Sequence, residues 1–283
     1  MLRYEDIKDF SDGRLYELND MVKADCQDCR NCHKCCSSDM GKSITLDPLD
    51  IFRLTQATGR AFTEMLGREI ELSFIDGIII PNMLMGEYTV TETQSGTGGE
   101  QQTIDDETGT GGEQQTISSA TGTNSGQQTV SSETGSEQQE TGSVKVIKKA
   151  GCRFLNDAGR CSIHPYRPGI CRLFPLGRIY EGRTFKYFLQ VNECSKKNRT
   201  KVKVSKWIDT EDIEKYTAFV TKWHNFLKLV AKKGAEAGDE TKAKEIFMFV
   251  INTFYVVPYE KNMEGTDFYK QFDLRLKTAI QYL

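Results

Sequence analysis

Apolar residues in the last third of the chain recur every three or four positions. This spacing is typical of amphipathic helices, and it predicts helices over 210–230, 240–254 and 267–283. We expect Thr210 to cap the first of them. The aromatic residues of this third should fill a core rather than bind a cofactor, and they are Trp207, Trp223, Phe226, Phe247, Phe249, Phe254 and Tyr255.

Helical signals also occur on the N-terminal side. Asp47 followed by Pro48 is a favourable helix start, with a capping side chain and a proline at the first helical position. The predicted helix ends near Gly59, and a short second helix is expected over 62–66.

The middle third has strand-like alternation interrupted by turn residues. It predicts three hairpins, over 70–84, 144–163 and 177–191. Together these signals predict an α+β fold. We expect a small cysteine-rich β-hairpin core, with helices on its N-terminal side and a helical C-terminal third.

Residues 91–143 differ from the rest, because they contain no Lys, Arg, Cys, Pro or aromatic residue. EQQTI at 100–104 recurs at 113–117 and, as GQQTV, at 126–130, which is a 13-residue repeat. One branched aliphatic residue per repeat is too little apolar surface to offset the entropy of ordering the chain. We therefore predict a disordered low-complexity insertion in a loop between two strands; a short β-solenoid is the alternative.

This insertion divides the predicted organisation into three parts. Residues 1–90 and 144–200 form the predicted cysteine-cluster domain, and 201–283 form a helical region packed on it. Without the insertion the chain has 230 residues, with 37 basic residues against 31 acidic ones, because nine of its 40 acids lie in the repeats. That mild charge does not predict a nucleic-acid partner.

Two further observations bear on the cellular compartment. No run of about 18 apolar residues occurs, so we predict no membrane partner. The first ten residues carry acids and no apolar stretch, so we expect no secretory signal and a cytoplasmic location. Thiols stay reduced there, so the nine cysteines call for an explanation other than disulfides.

The cysteines are concentrated in two blocks. A Cys-x-x-Cys pair aims two thiolates at one ion or cluster, and such soft ligands select zinc, copper(I) or iron–sulfur clusters. The spacing is close to the C-x₂-C-x₂-C-x₃-C-P run of ferredoxins, although no cysteine here precedes proline. We predict zinc or iron, with a 4Fe-4S cluster as one form. The first block holds Cys26, Cys29, Cys32, Cys35 and Cys36, and the second holds Cys152, Cys161, Cys171 and Cys194.

These residues resemble a known family. The CxxCxxCC run that ends at Cys35-Cys36 is similar to the signature of the YkgJ-type cysteine-cluster family of zinc- or iron-chelating domains. Gly151-Cys152, Gly159-Arg160-Cys161 and Arg167-Pro168-x-x-Cys171 are similar to its downstream motifs, so the resemblance covers about 20–195 without the insertion. It implies that the metal ligands are Cys29, Cys32, Cys35, Cys36, Cys152, Cys161, Cys171 and Cys194.

The division of these ligands among sites stays open. Eight thiolates suffice for two four-cysteine sites, or for a cluster plus a mononuclear zinc. Neighbouring side chains of extended chain face opposite sides, so Cys35 and Cys36 serve different sites, or one binds while the other packs. Cys26 is additional to the signature and could extend a site, replace a ligand or remain free.

Three further residues lie close to the second block. Arg167 and Arg172 flank Cys171. In one interpretation they are surface groups that pair with acidic side chains. In the other they have a functional role: without binding the metal themselves, they offset the negative charge of the thiolates, or they bind a carboxylate. His164 could donate a hydrogen bond to a thiolate.

The leading functional hypothesis is a cytosolic metal-binding protein whose metal also organises the fold. Flagellin lysine N-methylases share a similar cluster, so a cluster-dependent modifying enzyme is the first alternative. Metal storage or trafficking is the second. No nucleotide-binding fingerprint occurs, and the sequence identifies no substrate.

Overall fold

The computed structural model divides into two compact units. One consists of Met1–Val90 with Ile147–Leu283, and the other of Thr91–Val146. Residues 94–143 lie outside the described part of the chain, so the predicted disorder of the insertion stays a prediction. The structure describes residues 7–26, 35–36, 44–93, 144–156, 159–182, 184–191, 194, 198–260 and 267–283.

Helices and small sheets are both present, which confirms the predicted α+β class. A 3₁₀ turn at His164–Tyr166 and a π-helical turn at Asn252–Val256 supplement the helices. The helices are α1 (Ile7–Phe10), α2 (Pro48–Thr58), α3 (Phe62–Met65), α4 (Gly169–Leu173), α5 (Val204–Ile208), α6 (Ile213–Glu236), α7 (Glu240–Ile251) and α8 (Phe268–Tyr282).

The strands pair two by two. Their partners are β1 with β8, β2 with β3, β4 with β5 and β6 with β7. The strands are β1 (Met21–Asp25), β2 (Ile70–Ile75), β3 (Ile78–Met83), β4 (Met85–Thr93), β5 (Val144–Cys152), β6 (Leu176–Glu181), β7 (Thr184–Leu189) and β8 (Thr200–Lys203).

The start of α2 confirms the sequence prediction. The Asp47 carboxylate accepts a hydrogen bond from the Asp50 backbone N–H at 2.9 Å, and the Asp50 carboxylate accepts one from the Asp47 N–H at 3.1 Å. This reciprocal capping box satisfies two N–H groups that the helix itself cannot pair. Pro48 follows the cap, and Gly59 ends the helix in the left-handed region, with φ of 69°.

Two of the three predicted hairpins are confirmed. Ile75 pairs with Ile78, so Asp76 and Gly77 form a two-residue turn in which both φ angles are positive, the geometry favoured by Asp-Gly. The pairing of β6 with β7 confirms the hairpin predicted over 177–191.

The hairpin predicted over 144–163 is wrong. β5 pairs with β4 rather than folding back on the residues that follow it. The turn after β5 closes a single bridge, between Leu155 and Cys161. The alternation predicted the strand correctly, but it carries no information about which strand completes the pair.

The cap predicted at Thr210 is also wrong, because Asp212 caps α6. The Asp212 carboxylate accepts a hydrogen bond from the Lys215 N–H at 3.0 Å, whereas Asp209 before it is left-handed, with φ of 51°. Asp267 caps α8 in the same way through the Lys270 N–H, at 2.9 Å.

Aromatic side chains fill the core of the C-terminal helices, as predicted. The Trp223 ring lies 5.1 Å from the Phe254 ring and 6.1 Å from the Phe272 ring, measured between centroids. Tilted and edge-to-face pairs of this kind add to the free energy of apolar burial. Of the aromatic residues singled out in the sequence, Trp223, Phe226, Phe247, Phe254 and Tyr255 are buried, and Trp207 and Phe249 are partly buried.

A strand pair joins the two ends of the first unit. β1 and β8 are antiparallel, with Met21 opposite Lys203 and Asp25 opposite Thr200. Cys26 directly follows Asp25 and therefore lies at the end of the pair where β8 begins, whereas α5 begins at the other end, where the Val204 N–H donates to the Asp20 carbonyl. Across the described residues, no helix has the length and apolar composition needed to cross a membrane.

Candidate metal centre

The predicted ligands lie at different kinds of position in the fold. Cys26 is buried after β1, whereas Cys35 and Cys36 are half-buried. Cys29 and Cys32 lie outside the described residues. The remaining predicted ligands are all half-buried, and they are Cys152, Cys161, Cys171 and Cys194.

A compact turn connects Cys152 to Cys161. The Leu155 N–H donates to the Cys152 carbonyl at 3.0 Å, and the Ser162 N–H donates to the Phe154 carbonyl at 2.8 Å. The Asn156 side chain accepts from the Arg160 N–H at 2.9 Å, which stabilises the turn at its outer end. This local bonding holds the two cysteines at the ends of one short loop.

A buried hydrogen bond positions Cys171. The Asp50 carboxylate on α2 accepts from the Gly169 backbone N–H at 2.7 Å, at the start of α4, which contains Cys171. A Cβ at position 169 would lie 2.5 Å from the Tyr216 hydroxyl, so only glycine fits there. Burial raises the pKa of Asp50, and the Gly169 N–H partly opposes that shift.

Thiols of the two cysteine blocks shift the pKa values of one another, although more than 100 residues separate the blocks in the chain. A hydrogen bond with Cys36 lowers the pKa of Cys35, and the same contact raises the pKa of Cys36. The pKa of Cys36 is raised further by Cys171 and Cys152. Tertiary folding has therefore brought the Cys35–Cys36 pair into the electrostatic neighbourhood of the second block.

Burial is the main influence on the second block itself. It raises the pKa of Cys152 to about 11, with a smaller contribution from Cys161. Burial also raises the pKa of Cys161, and it raises that of Cys171 well above its usual value. These thiols therefore hold their protons more tightly than an exposed thiol does, because burial disfavours the charged thiolate.

The donor set fits a thiophilic metal. Five thiols share one partly buried neighbourhood, and thiolate is the ligand that zinc and iron–sulfur clusters prefer. Within the described residues, however, no three His, Cys, Asp or Glu side chains already converge on one point. Cys29 and Cys32, predicted as ligands, lie outside that part of the chain.

Arg167 and Arg172 occupy different environments. The Arg167 Nη1 contacts the His164 ring, and the charge of Arg167 lowers the pKa of both Cys35 and Cys161. Arg167 therefore has the position expected if an arginine of this segment offsets the negative charge of the thiolates. The contact that Arg167 makes also fixes the place of His164 beside it.

Arg172 is not the surface group that one interpretation of the sequence expects. It is only 2% exposed, and its Nη1 donates to the Asp209 carbonyl at 3.0 Å. Its guanidinium carbon lies 5.3 Å from the centre of the Tyr216 ring. These contacts direct Arg172 towards α5 and α6.

Sequence reasoning missed a buried polar cluster beside α4. Arg178 donates to the Tyr216 hydroxyl at 3.1 Å, and its guanidinium lies 5.5 Å from the Tyr216 ring centre. Burial raises the pKa of Asp47 to about 8, with Asp50 adding to the shift. Asp47 before Pro48 predicted the helix cap. No sequence signal indicated that the carboxylates of Asp47 and Asp50 lie near arginines and away from water.

Comparison with known families gives a match over part of the chain. Residues 113–205 match the family model CxxCxxCC, whose description is "putative zinc- or iron-chelating domain". The match confirms the resemblance to a zinc- or iron-chelating family over a range that holds the downstream motifs. Cys152, Cys161, Cys171 and Cys194 lie in the matched range, and the first block precedes it. No curated protein and no solved structure matches the chain.

Proposed function

We propose that the protein binds zinc or iron through thiolates drawn from both cysteine blocks. The observation that carries the proposal is the mutual influence of Cys35 and Cys36 with thiols of the second block. The match to a zinc- or iron-chelating family supports the same conclusion. The residues that would hold the metal are Cys35, Cys36, Cys152, Cys161 and Cys171.

The remaining cysteines extend this proposal. Cys29 and Cys32 precede Cys35 at spacings of three, so they supply further thiolates on the same short segment. Cys26 is buried, and its charge raises the pKa of Cys35, so it lies near that thiol. It is therefore a candidate metal ligand, although the CxxCxxCC signature does not include it. Cys194 is half-buried and keeps its status as a predicted ligand.

The raised thiol pKa values give the binding a physical consequence. A metal binds thiolate, so each protonated thiol must release a proton as it becomes a ligand. A bound cation then supplies the compensating charge that the buried thiolates lack. The ligands come from segments far apart in the chain, so metal binding also contributes free energy to folding. A thiolate-bound zinc would supply a fixed cross-link, and iron would add redox chemistry.

Metal analysis after anaerobic purification tests the proposal directly. We expect at least one equivalent of zinc or iron per chain at a fixed stoichiometry, measured with acid-labile sulfide and a visible spectrum. Iron with sulfide and a brown colour identifies a cluster, whereas colourless zinc protein identifies a mononuclear site. Weak, multiple and transferable binding would support metal storage or trafficking instead, and a metal-free chain that cannot be loaded contradicts the proposal.

Substitution of single thiols localises the site. Cys36→Ser and Cys171→Ser should each lower the metal content by more than half, although they lie 135 residues apart in the chain. Ser205→Ala on α5 is the control, because it removes a hydroxyl group away from both cysteine blocks without removing a thiol. If only one of the two cysteine variants loses metal, the two blocks do not share a site.

A further inference from the structure

A cavity of about 560 Å³ lies next to the second cysteine block. Its walls come from the end of α2, from the turn between α3 and β2, and from the residues that directly follow Cys152 and Cys161. Cavities of this size typically hold a small molecule. The polar side chains that line it are Thr58, Arg60, Arg68, Glu69, Arg153 and Ser162.

The cavity carries an excess of positive charge. Arg60 forms an ion pair with Glu69 at 2.5 Å, so these two charges cancel. Arg68 and Arg153 are both exposed, and within the part of the chain that the structure describes neither side chain makes an ion pair or a hydrogen bond. The cavity therefore presents two uncompensated guanidinium groups.

The hydroxyl groups of the cavity are already engaged. The Thr58 hydroxyl donates to the Leu54 carbonyl at 2.9 Å and accepts from the Arg60 N–H at 3.2 Å. The Ser162 hydroxyl donates to the Phe154 carbonyl at 3.0 Å. The hydrogen-bond donors that remain for a ligand are those of the guanidinium groups, so charge determines what the cavity can bind.

A glycine leaves space for one of these arginines. A Cβ at position 86 would lie 2.8 Å from Cγ and 2.9 Å from Nε of Arg153. The Arg153 side chain thus lies directly over the Gly86 backbone in β4. This packing restricts the guanidinium and reduces the entropy lost when it binds a ligand.

We propose that this cavity binds a small organic anion with two negative charges, of the phosphate monoester or dicarboxylate class. Guanidinium groups bind the oxygens of phosphate and carboxylate in pairs, with charge-assisted hydrogen bonds. Two free guanidinium groups match two negative charges, whereas a monoanion leaves one unpaired. The inference does not depend on the metal, because Arg68 and Arg153 are not among the proposed ligands.

Isothermal titration of the full chain tests this site. The probes are inorganic phosphate and succinate, with acetate as the monoanion, all at the same ionic strength. We expect one-to-one saturable binding of phosphate or succinate, at least about tenfold tighter than that of acetate. The preferred probe distinguishes the phosphate source from the carboxylate source, and absence of saturable binding for both overturns the proposal.

Charge-removing variants connect the binding to the cavity. Arg68→Gln and Arg153→Gln should each weaken binding about tenfold or more, the usual loss for a hydrogen bond to a charged group. Lys244→Gln on the exposed side of α7 is the control with the same charge change, and its affinity should equal that of the wild type. An equal effect of all three variants would indicate general charge attraction and would overturn the proposal. Metal content and circular dichroism, measured in parallel, separate loss of this site from damage to the thiols.

Discussion

The aromatic core of the C-terminal helices and the thiol neighbourhood belong to the same unit, but different interactions hold them together. In the helical region, Phe254 is 0% exposed and lies among the rings of Trp223, Phe226 and Phe272. In the thiol region, polar side chains are partly withdrawn from water without a compensating charge. Apolar burial stabilises the first region without a ligand, whereas the second gains most from a metal.

The contrast also concerns distance along the chain. Helices α6, α7 and α8 follow one another, so their contacts close short loops. The thiol region combines residues from the first 36 positions with residues beyond 150, and the repeats lie between them. Long-range contacts carry a larger entropy cost of closure, which a metal cross-link offsets.

Metal removal should have the largest effect, and it should affect the two regions unequally. Thiolate-bound structural metals contribute on the order of 10 kcal/mol. After chelation, we expect amide exchange over 152–171 to accelerate by more than about 100-fold, because the cross-link is lost, while α6 stays protected. Hydrogen exchange with mass spectrometry measures both. Equal acceleration in both regions would show that the helices depend on the metal too.

Truncation of a core ring should have the converse effect. Phe254→Ala should lower the free energy of unfolding by about 3–5 kcal/mol, because it removes a fully buried ring and leaves a cavity. Its metal content per folded chain should not change. Leu274→Ala on α8 is the control, since Leu274 is 66% exposed and its truncation should cost little. Loss of metal in Phe254→Ala would contradict the separation of the two regions.

The buried link from α2 to α4 should give an intermediate effect. Asp50→Ala leaves the Gly169 N–H without its acceptor, which should cost about 1–3 kcal/mol and speed metal loss to a chelator. Asp50→Asn keeps one carbonyl oxygen for the Gly169 N–H but loses the acceptor of the Asp47 N–H, so its metal-loss rate should lie between those of Asp50→Ala and the wild type. Thermal melting and chelator kinetics check both variants. If Asp50→Asn equals Asp50→Ala, the charge of Asp50 matters rather than its hydrogen bond.

The smallest effect should come from acid titration of the helical region. The His224 ring stacks on Tyr180 at 3.5 Å between centroids, and burial lowers the pKa of His224 to about 4. The unfolded chain, with a pKa near 6.5, binds the proton more tightly, so stability is full above pH 6.5 and falls as the pH drops towards 4. In His224→Phe, the decrease in the free energy of unfolding on acidification should be smaller by about 1–2 kcal/mol. This figure allows for solvent screening of the partly exposed ring.

Denaturant unfolding at pH 7 and pH 4.5 measures this difference. Acid-driven loss of metal affects both proteins alike, so it cancels when the variant is compared with the wild type. An unchanged difference between the two pH values in His224→Phe would show that His224 does not cause the acid sensitivity.

Local signals predicted a large part of the fold. The Asp47-Pro48 cap, the Asp76-Gly77 turn and the spacing of apolar residues in α8 each depend on interactions within a few residues. The partner of β5 was not predictable in the same way. It lies on the other side of the repeats, and alternation identifies a strand without identifying its neighbour.

Part of the candidate site was likewise predictable from the sequence, and part of it was not. The sequence by itself determined the number and spacing of the cysteines, and these favour a thiophilic metal as the ligand. The tertiary structure alone decided that Arg172 is buried, that Asp50 holds Gly169, and that Arg68 and Arg153 face one cavity. Burial and desolvation arise from groups distant in the chain, and they determine the pKa of a side chain as well as its partners.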